Sequence, residues 1–460
     1  DGAPDMTTRM CATGELGASL LQSRQLDAAA ESLQQAYAFE QGQQRARVAI
    51  DLGNLAVLRG QVDEARRFYD EAIRLAAGDP QINFSARLNR ARLATGNLQL
   101  AELDQLSGAI APLPASAAKT AWQINLGQQY RLAGAGGLAR AYAQLSSATA
   151  AAAAQDPALH AEALDSLAQL YEDQGRADDA LRLTRQGLTA AAGASAGRLG
   201  DRLVQLEWRQ ARLSRSLGRP EVSLAAYQRA VMQIEAIRQD LPIEDERGQS
   251  SFRVTLQPVY LGLIESLLAA ADRQGADPAA TRLRQVVDTV ELLHQSELQD
   301  YLGDRCAVDA IKGGSSTVIP QGTAVLYPIV LADRLELLLE TSAGISRHRS
   351  AVKADQLRAT ANGFAASLRA GSSGYLAQAR QLYDWVLRPV EGSLTEQGVK
   401  TLVFVPDGSL RLVAMGAFHD GKQFAIEKFA MVTATGMSMT NTEPDTPIEG
   451  VLLAGLSTPG

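Results

Sequence analysis

Residues 51–72 read DLGNLAVLRGQVDEARRFYDEA, and this stretch decides the fold of the first half of the chain. Two amphipathic segments flank Gly60. Small residues stand where the segments would touch, with Gly53 in the first segment and Ala65 and Ala72 in the second. Small side chains let two helices pack closely, and glycine adopts the backbone angles of a tight turn. The stretch therefore predicts two antiparallel helices joined at Gly60.

The same arrangement recurs along the chain, with successive turns 36 to 43 residues apart. The turn positions are Arg24, Gly60, Gly96, Gly134, Gly175 and Gly218. A generic helical bundle rich in Ala and Leu is the alternative, but helical periodicity alone seldom keeps six copies in register. The pattern resembles the tetratricopeptide repeat, whose period is about 34 residues. The resemblance implies an α-solenoid of about six repeats over residues 1–235, a fold that holds partners.

The composition of the 460 residues excludes several classes of protein. Hydrophobic residues make up 46% of the chain, which is ordinary for a folded soluble protein. A net charge of -7 argues against a dedicated nucleic-acid binder. No uninterrupted apolar run approaches the roughly 20 residues of a membrane helix, so no membrane span is predicted. We also expect no cofactor.

The cellular location stays open at this point. The chain starts at Asp1 rather than Met, so we expect either the bacterial cytoplasm or export after removal of a signal peptide. Cys11 and Cys306 are the two cysteines, and they could form one disulfide or remain free thiols.

The pattern changes after the repeats. Residues 236–310 are predicted to form a helical connector that caps the solenoid. A loop rich in Gly and Ser follows at 312–316. Residues 324–331 and 334–339 then predict two strands of a hairpin.

A mixed α/β pattern continues to the end of the sequence. Two amphipathic helices are predicted near 354–370 and 375–389. Residues 401–405 are almost continuously apolar, which is typical of a strand buried in a parallel sheet. Asp420-Gly421 predicts the tight turn of a hairpin between residues 410–418 and 423–429. Residues 451–456 predict another buried strand, which we expect to lie at an edge of an unfinished sheet.

Several short motifs of this second half follow one another in a specific order. They are Asp333-Arg334-Leu335, residues 383–389 (YDWVLRP), residues 402–408 (LVFVPDG) and residues 418–421 (FHDG). Their order resembles the opening part of a CHAT domain, and CHAT domains are caspase-like and often follow tetratricopeptide repeats in bacteria. The resemblance implies that residues 320–460 are the N-terminal part of a caspase-like α/β domain, apparently truncated. The expected fold class is α + α/β, a tetratricopeptide α-solenoid followed by the N-terminal portion of a caspase-like α/β domain.

The resemblance also implies a cysteine peptidase with a His-Cys dyad in the parent protein. The family's His lies in a His-Gly motif that ends a strand, and its Cys follows the next strand. This chain contains no His-Gly dipeptide, and we expect both segments beyond Gly460. We therefore expect no catalytic residue and no peptidase activity in the chain itself.

Other candidate chemical residues favour structural roles. Cys306 has no matching His motif, so a structural thiol is favoured over a nucleophile. His419 is expected to be a solvated hairpin residue, and His348 is expected on the solvent face of a strand. His160 and His294 lie on amphipathic helices without a second ligand at metal spacing, so no metal site is predicted.

The first helix of each repeat should line the concave face of the solenoid and meet a ligand there. Acidic residues, including Glu162 and Asp173, interrupt this face. Guanidinium groups bind carboxylates through paired donors, so the face suits an acidic peptide, although a plain solvated helix face is the alternative. The predicted partner-binding residues are Arg47, Asn54, Arg87, Arg90, Asn125, Gln128, Arg131, Arg209 and Arg212.

These observations predict the partner-binding, regulatory part of a bacterial tetratricopeptide–CHAT protein. The expected partner is a protein or peptide in the groove, or the chain's own missing C-terminal portion. The alternative is a non-catalytic scaffold or adaptor for protein–protein interaction.

Overall fold

The structure, a computed structural model, describes residues 6–76, 78–194, 199–238, 250–273, 275–302, 319–372 and 374–440. It divides into two compact units, Asp1–Ile237 and Arg238–Gly460. The loop predicted at 312–316, Cys306 and the strand predicted at 451–456 lie outside the described residues.

The described part of the first unit consists of six helix pairs, which confirms the predicted repeat architecture. In each pair the two helices pack along each other. The helices are α1 Met6–Gln22, α2 Leu26–Phe39, α3 Gly42–Leu58, α4 Val62–Leu75, α5 Pro80–Arg92, α6 Gly96–Ile110, α7 Ala117–Leu132, α8 Leu138–Ala152, α9 Pro157–Asp173, α10 Ala177–Ala192, α11 Gly200–Ser216 and α12 Pro220–Ile237.

The turns inside the pairs lie where the sequence predicts them. All six turn positions have positive φ, from 60° at Arg24 and Gly96 to 85° at Gly134. Glycine adopts this left-handed conformation without the steric cost of a Cβ atom. Arg24 adopts it despite its side chain, so the first turn is made by a less favourable residue.

Glycines in the odd-numbered helices allow close contact with the partner helix. A Cβ atom on Gly53 would lie 2.4 Å from the ring of Tyr69, and one on Gly127 would lie 2.5 Å from Leu145. Each odd-numbered helix from α1 to α9 also packs against the next odd-numbered helix. These helices therefore form one continuous surface, which we call the odd-helix face.

The second unit opens with helices that carry many buried apolar residues. A short π-helix, Phe252–Leu256, leads into α13 Gln257–Asp272, which packs against α14 Ala276–Leu302. By length and composition, Phe252–Asp272 could cross a membrane, with a mean hydropathy of 1.4. However, 61% of its apolar window is buried inside the structure. Core helices of soluble proteins have the same properties.

A five-stranded mixed sheet follows, in the order β3-β2-β1-β4-β5. The predicted hairpin is confirmed, since β1 and β2 pair antiparallel around residues 331–334. The apolar strand β4 is parallel to both of its neighbours, as its sequence predicts. The strands are β1 Thr323–Val330, β2 Leu335–Thr341, β3 Gly344–Ser350, β4 Thr401–Phe404 and β5 Ala430–Thr433.

Four helices accompany the sheet, and the first two confirm the predicted amphipathic helices. A common core joins their apolar residues to the strands, for example Phe364 and Leu382 to Leu337 and Phe404. The predicted turn at Asp420-Gly421 is also present, with Gly421 at a φ of 107°. The hairpin predicted around it is wrong, because residues 410–429 form short helical segments joined by a single β-bridge between His419 and Phe424. The helices are α15 Ala354–Arg369, α16 Tyr375–Val386, α17 Glu391–Glu396 and α18 Ala425–Lys428.

A buried carboxylate holds the N-terminal strands of the sheet together. Glu336 on β2 has no exposed surface. It accepts hydrogen bonds from Nε of Arg334, Arg347 and Arg349 at 2.6, 2.8 and 3.0 Å. Arg347 and Arg349 also bond to Asp272 at the end of α13, at 2.9 and 2.7 Å. The cluster therefore connects β2 and β3 to the helical part of the unit.

Candidate functional site

Polar side chains on the odd-helix face connect each helix to the next. Asn89 on α5 donates to Oδ1 of Asn54 on α3 at 3.0 Å. Gln128 on α7 donates to Oγ of Ser166 on α9 at 2.9 Å. Two residues predicted as partner contacts therefore lie at the junctions between repeats, and both already have a hydrogen-bond partner within the chain.

Several predicted arginines are ion-paired within the chain. Arg90 on α5 donates to Asp70 at 2.8 Å, and Arg131 on α7 bonds to Asp173 on α9 at 2.5 Å. The acidic residues that interrupt the arginines in sequence supply some of these counter-charges. The pairs lower the net positive charge that these arginines could offer to an acidic partner.

Arg209 is not available to a partner, although the sequence analysis placed it among the contacts. Its side chain is only 4% exposed. It bonds to Asp165, to Glu172 at 3.1 Å and to Gln169 at 2.8 Å, all on α9. Burial alone would raise the pKa of Asp165, but Arg209 and Arg202 outweigh burial and hold the pKa below its ordinary value. Arg209 therefore fastens α11 to α9.

The remaining predicted arginines differ in how strongly they are bound to other side chains of the chain. Arg212 bonds to Glu172 at 3.0 Å and lies over the ring of Trp208. Arg87 donates to the side chain of Asn83 at 2.8 Å. Within the described part of the chain, Arg47 and Arg87 form no ion pair. These two cations are therefore the ones most available on the face.

A cavity of about 380 Å³ opens on the odd-helix face among α5, α7 and the start of α9. Trp122 and Leu159 give it apolar walls, and Asn125 and Gln81 contribute carboxamides. The Trp122 indole donates to Oε1 of Gln81 at 3.0 Å, which fixes the position of both side chains. The cavity combines a small apolar wall with two carboxamides and with Asp156, whose carboxylate accepts from the backbone N–H of Ala158 and Leu159 at the start of α9.

Of the cavity's polar residues, only Asn125 was predicted from the sequence. Gln81 and Trp122 come from consecutive repeats, and they are 41 positions apart in the chain. A repeat pattern predicts that the two helices are neighbours. It does not predict which of their side chains meet.

His419 in the second unit is buried, so its predicted solvation is wrong. Its side chain is 8% exposed, and its ring packs edge-on against Phe424 at 4.8 Å between centroids. Nδ1 accepts a hydrogen bond from the backbone N–H of Gly421 at 2.9 Å. The imidazole therefore stabilises the turn from inside.

His348 was also expected to face solvent, and that prediction is wrong as well. It is half-buried, with Nε2 at 3.2 Å from Ser346 Oγ and 3.4 Å from Ser393 Oγ. Burial lowers its pKa. His294 on α14 is fully buried, and burial together with nearby Arg411 lowers its pKa to about 3. Both rings are thus neutral near pH 7.

The motif at 383–389 has a structural explanation. Nζ of Lys428 lies 2.6 Å from Asp420, 2.7 Å from Glu391 and 2.9 Å from the hydroxyl of Tyr383. Arg388 donates to the same Glu391 and to the backbone carbonyl of Asp420. The hydrogen bond that Asp420 accepts from Lys428 is the main reason that the pKa of Asp420 is low. The motif fastens the 419–424 turn to α16 and α17.

No catalytic or metal centre emerges from the residues that the structure describes. Cys11, the free thiol among them, lies on α1. Across these same residues, no group of three or more His, Cys, Asp or Glu side chains could hold a metal ion. The odd-helix face, with its cavity, is the candidate functional site.

A comparison with known protein families gives a match within the second unit. Residues 376–455 match the family model described as CHAT domain, which confirms the resemblance for that part of the expected 320–460 segment. A comparison with curated protein sequences gives no match.

Similar solved structures include several repeat proteins. A thermophilic TPR protein of Thermus thermophilus is 20% identical, with a TM-score of 0.29, over 42% of this chain and 94% of that chain. A tetratricopeptide repeat protein of Parabacteroides merdae is 16% identical, with a TM-score of 0.32, over 63% and 98%. NprR in complex with its cognate peptide NprX is 15% identical, with a TM-score of 0.36, over 67% and 89%.

Likenesses at TM-scores this low transfer neither a partner nor an activity to this chain. The tetratricopeptide architecture rests on the chain's own helix pairs and turns. The chain thus joins a repeat fold, of the kind that serves protein interaction, to a segment of a CHAT domain.

Proposed function

We propose that the chain is the partner-binding, regulatory part of a tetratricopeptide–CHAT protein, and that the odd-helix face binds an extended protein segment. The observation that supports this proposal is the 380 Å³ cavity with Asn125 at its edge. The cavity is large enough for one side chain of a partner. The face continues on both sides of it along the neighbouring odd-numbered helices.

Asn125 is suited to bind the backbone of a partner. A carboxamide has two N–H donors and one carbonyl acceptor. One donor of Asn125 is used by the carbonyl of Ala121 at 3.1 Å. The other donor and the oxygen match the C=O and N–H of a peptide group. Such pairing tolerates many partner sequences, while the apolar wall of Trp122 and Leu159 selects the side chain that enters the cavity.

Arg47 and Arg87 would add preference for a negatively charged end of the segment. Each lies on an odd-numbered helix upstream of α7, and both lack ion pairs among the described residues. A guanidinium binds a carboxylate through two parallel hydrogen bonds. We propose that a partner's C-terminal carboxylate or acidic side chain lies toward these residues, with its backbone on Asn125.

We expect Asn125→Leu to weaken binding of a peptide selected against the full chain from a random peptide library. Losing the backbone hydrogen bonds should cost about 1–3 kcal/mol, which is roughly five- to 150-fold in Kd. Isothermal titration calorimetry measures the change. The matched control is Gln123→Leu on the same helix, because Gln123 bonds to Ser147 on α8 rather than facing the cavity.

The control should stay within twofold of the wild type, and circular dichroism melts of the three proteins should coincide. Equal affinity of wild type and Asn125→Leu for every selected peptide would refute the assignment of the cavity. Failure to select any peptide would count against the partner-binding function itself.

We also expect the 460-residue chain to leave peptide substrates uncut. The reason is chemical, since the sequence holds no His-Gly motif of the family's dyad. Incubation with a mixed peptide pool, followed by mass spectrometry, tests this. Cleavage that disappears in Cys306→Ala would show that the chain is itself a cysteine peptidase.

A further inference from the structure

A second and larger groove lies on the first unit, along the even-numbered helix α10. Its volume is about 860 Å³, within the range of pockets that bind ligands. Asp178, Arg182, Arg185 and Thr189 line it at spacings of three or four residues, so a single face of the helix forms one wall. The stripe is about 16 Å long at 1.5 Å per residue.

The floor of this groove is apolar and its rim is cationic. Its floor is formed by three leucines that are nearly fully buried, Leu164, Leu181 and Leu183. Arg182, Arg185 and Arg219 stand around them, and most of the remaining lining residues are uncharged. Burial lowers the pKa of His160, another lining residue, so it is neutral near pH 7.

The arginines on the rim keep most of their charge available. Arg185 is exposed and has no carboxylate partner within the described residues. Arg182 pairs with Asp179 at 3.1 Å, but its side chain is 57% exposed. Arg219 reaches Asp178 only at 3.8 Å. Exposed ion pairs of this kind contribute little, about 0–1 kcal/mol, and can exchange for a partner's carboxylates.

We infer that the α10 groove binds an acidic segment of another protein, one in which apolar residues alternate with carboxylates. The rim arginines would meet the carboxylates, and the apolar side chains would lie against the uncharged lining between them, to which the leucines contribute little exposed surface. A groove of this length accommodates about five residues of extended chain at 3.3 Å each. The inference goes beyond the proposed function, since it concerns an even-numbered helix and shares no residue with the Asn125 cavity.

The test uses the full chain and two fluorescein-labelled peptides, ELEELE and KLKKLK, in fluorescence anisotropy titrations. We expect ELEELE to bind and KLKKLK not to bind. Raising NaCl from 50 to 500 mM should weaken ELEELE binding at least tenfold, because exposed charges are screened by salt. Arg185→Glu should weaken it at least tenfold, and the milder Arg185→Gln at least threefold.

Two control variants distinguish this groove from the rest of the protein surface. Arg67→Glu reverses an exposed charge on α4, another even-numbered helix, and should leave ELEELE binding within twofold. Gln123→Leu on α7 should also leave it within twofold. A loss in Asn125→Leu without one in Arg185→Glu would assign the peptide to the odd-helix face, so failure here and failure of the proposed function can be told apart. Circular dichroism melts confirm that each variant is folded.

The inference is overturned if ELEELE does not bind, or if KLKKLK binds equally well. It is also overturned if Arg185→Glu binds like the wild type. An equal loss in Arg67→Glu would overturn it too, by showing a general effect of net charge. A loss confined to Asn125→Leu would likewise overturn it and place the peptide on the odd-helix face.

Discussion

Glu336→Ala should lower the free energy of unfolding of the second unit by about 3–5 kcal/mol, the usual cost of removing one partner of a buried ion pair. The substitution leaves Arg334, Arg347 and Arg349 clustered around an empty position on β2. Urea unfolding, monitored by hydrogen exchange of the β2 and β3 peptides, measures the loss. A decrease below about 1 kcal/mol would mean that the cluster relaxes at little cost.

The effect of Glu336 should depend on pH. Burial alone would raise its pKa, but hydrogen bonds from Arg347 and Arg334 outweigh burial and lower the pKa below 4.5. A carboxylate with a lowered pKa stabilises the fold above its unfolded pKa, and this contribution is lost as the pH falls through the folded value. The difference between wild type and Glu336→Gln should therefore be full at pH 7 and shrink below about 4.5.

The control for Glu336 is an ion pair on the surface of the same unit. Asp355 pairs with Arg358 on α15, and both side chains are mostly exposed. Asp355→Asn should change stability by less than about 1 kcal/mol, because solvent screens such a pair. A loss in Asp355→Asn as large as that of Glu336→Ala would contradict the role assigned to burial.

Gly53→Ala should destabilise the first unit by about 1–3 kcal/mol, the range for overpacked sites. In an open helix the same change usually stabilises by about 0.5–1 kcal/mol. The added Cβ would lie 2.4 Å from the ring of Tyr69. That ring is buried, and its hydroxyl donates to Asn54 at 2.9 Å, so it cannot move aside easily.

Gly108→Ala is the matched control. Gly108 lies in α6, and an added Cβ would meet no atom within 4 Å. We therefore expect stabilisation, opposite in sign to Gly53→Ala, in thermal melts followed by circular dichroism. Stabilisation by both substitutions would show that α3 and α4 separate readily, and that close packing at Gly53 does not matter.

The repeats were predictable because their determinants are local. A glycine turn needs positive φ at one position, and Gly134 and Gly218 have it. Helical periodicity is visible within one segment of sequence. The β1–β2 hairpin was predictable for the same reason, since its strands are separated by only 331–334. The burial of residues 401–405 was predictable from their composition alone, because they are almost continuously apolar.

Side-chain environments were less predictable. The sequence placed His419 in solvent because it precedes a turn, but the turn folds its ring onto Phe424. It placed His348 on an exposed face, yet the side chain lies near Ser393, 45 positions further along the chain. Contacts of this range depend on how elements pack, and no periodicity in either segment encodes them.

By itself, the sequence determined the repeat architecture, the mixed sheet and the family resemblance of the C-terminal part. Only the tertiary structure decided which groups can meet a partner. Arg209 and Arg47 look alike in the repeat pattern, but Arg209 is buried against Asp165, 44 positions away, and Arg47 stays exposed. The physical reason is that charge availability depends on neighbouring helices, because a buried guanidinium must be paired and an exposed one need not be.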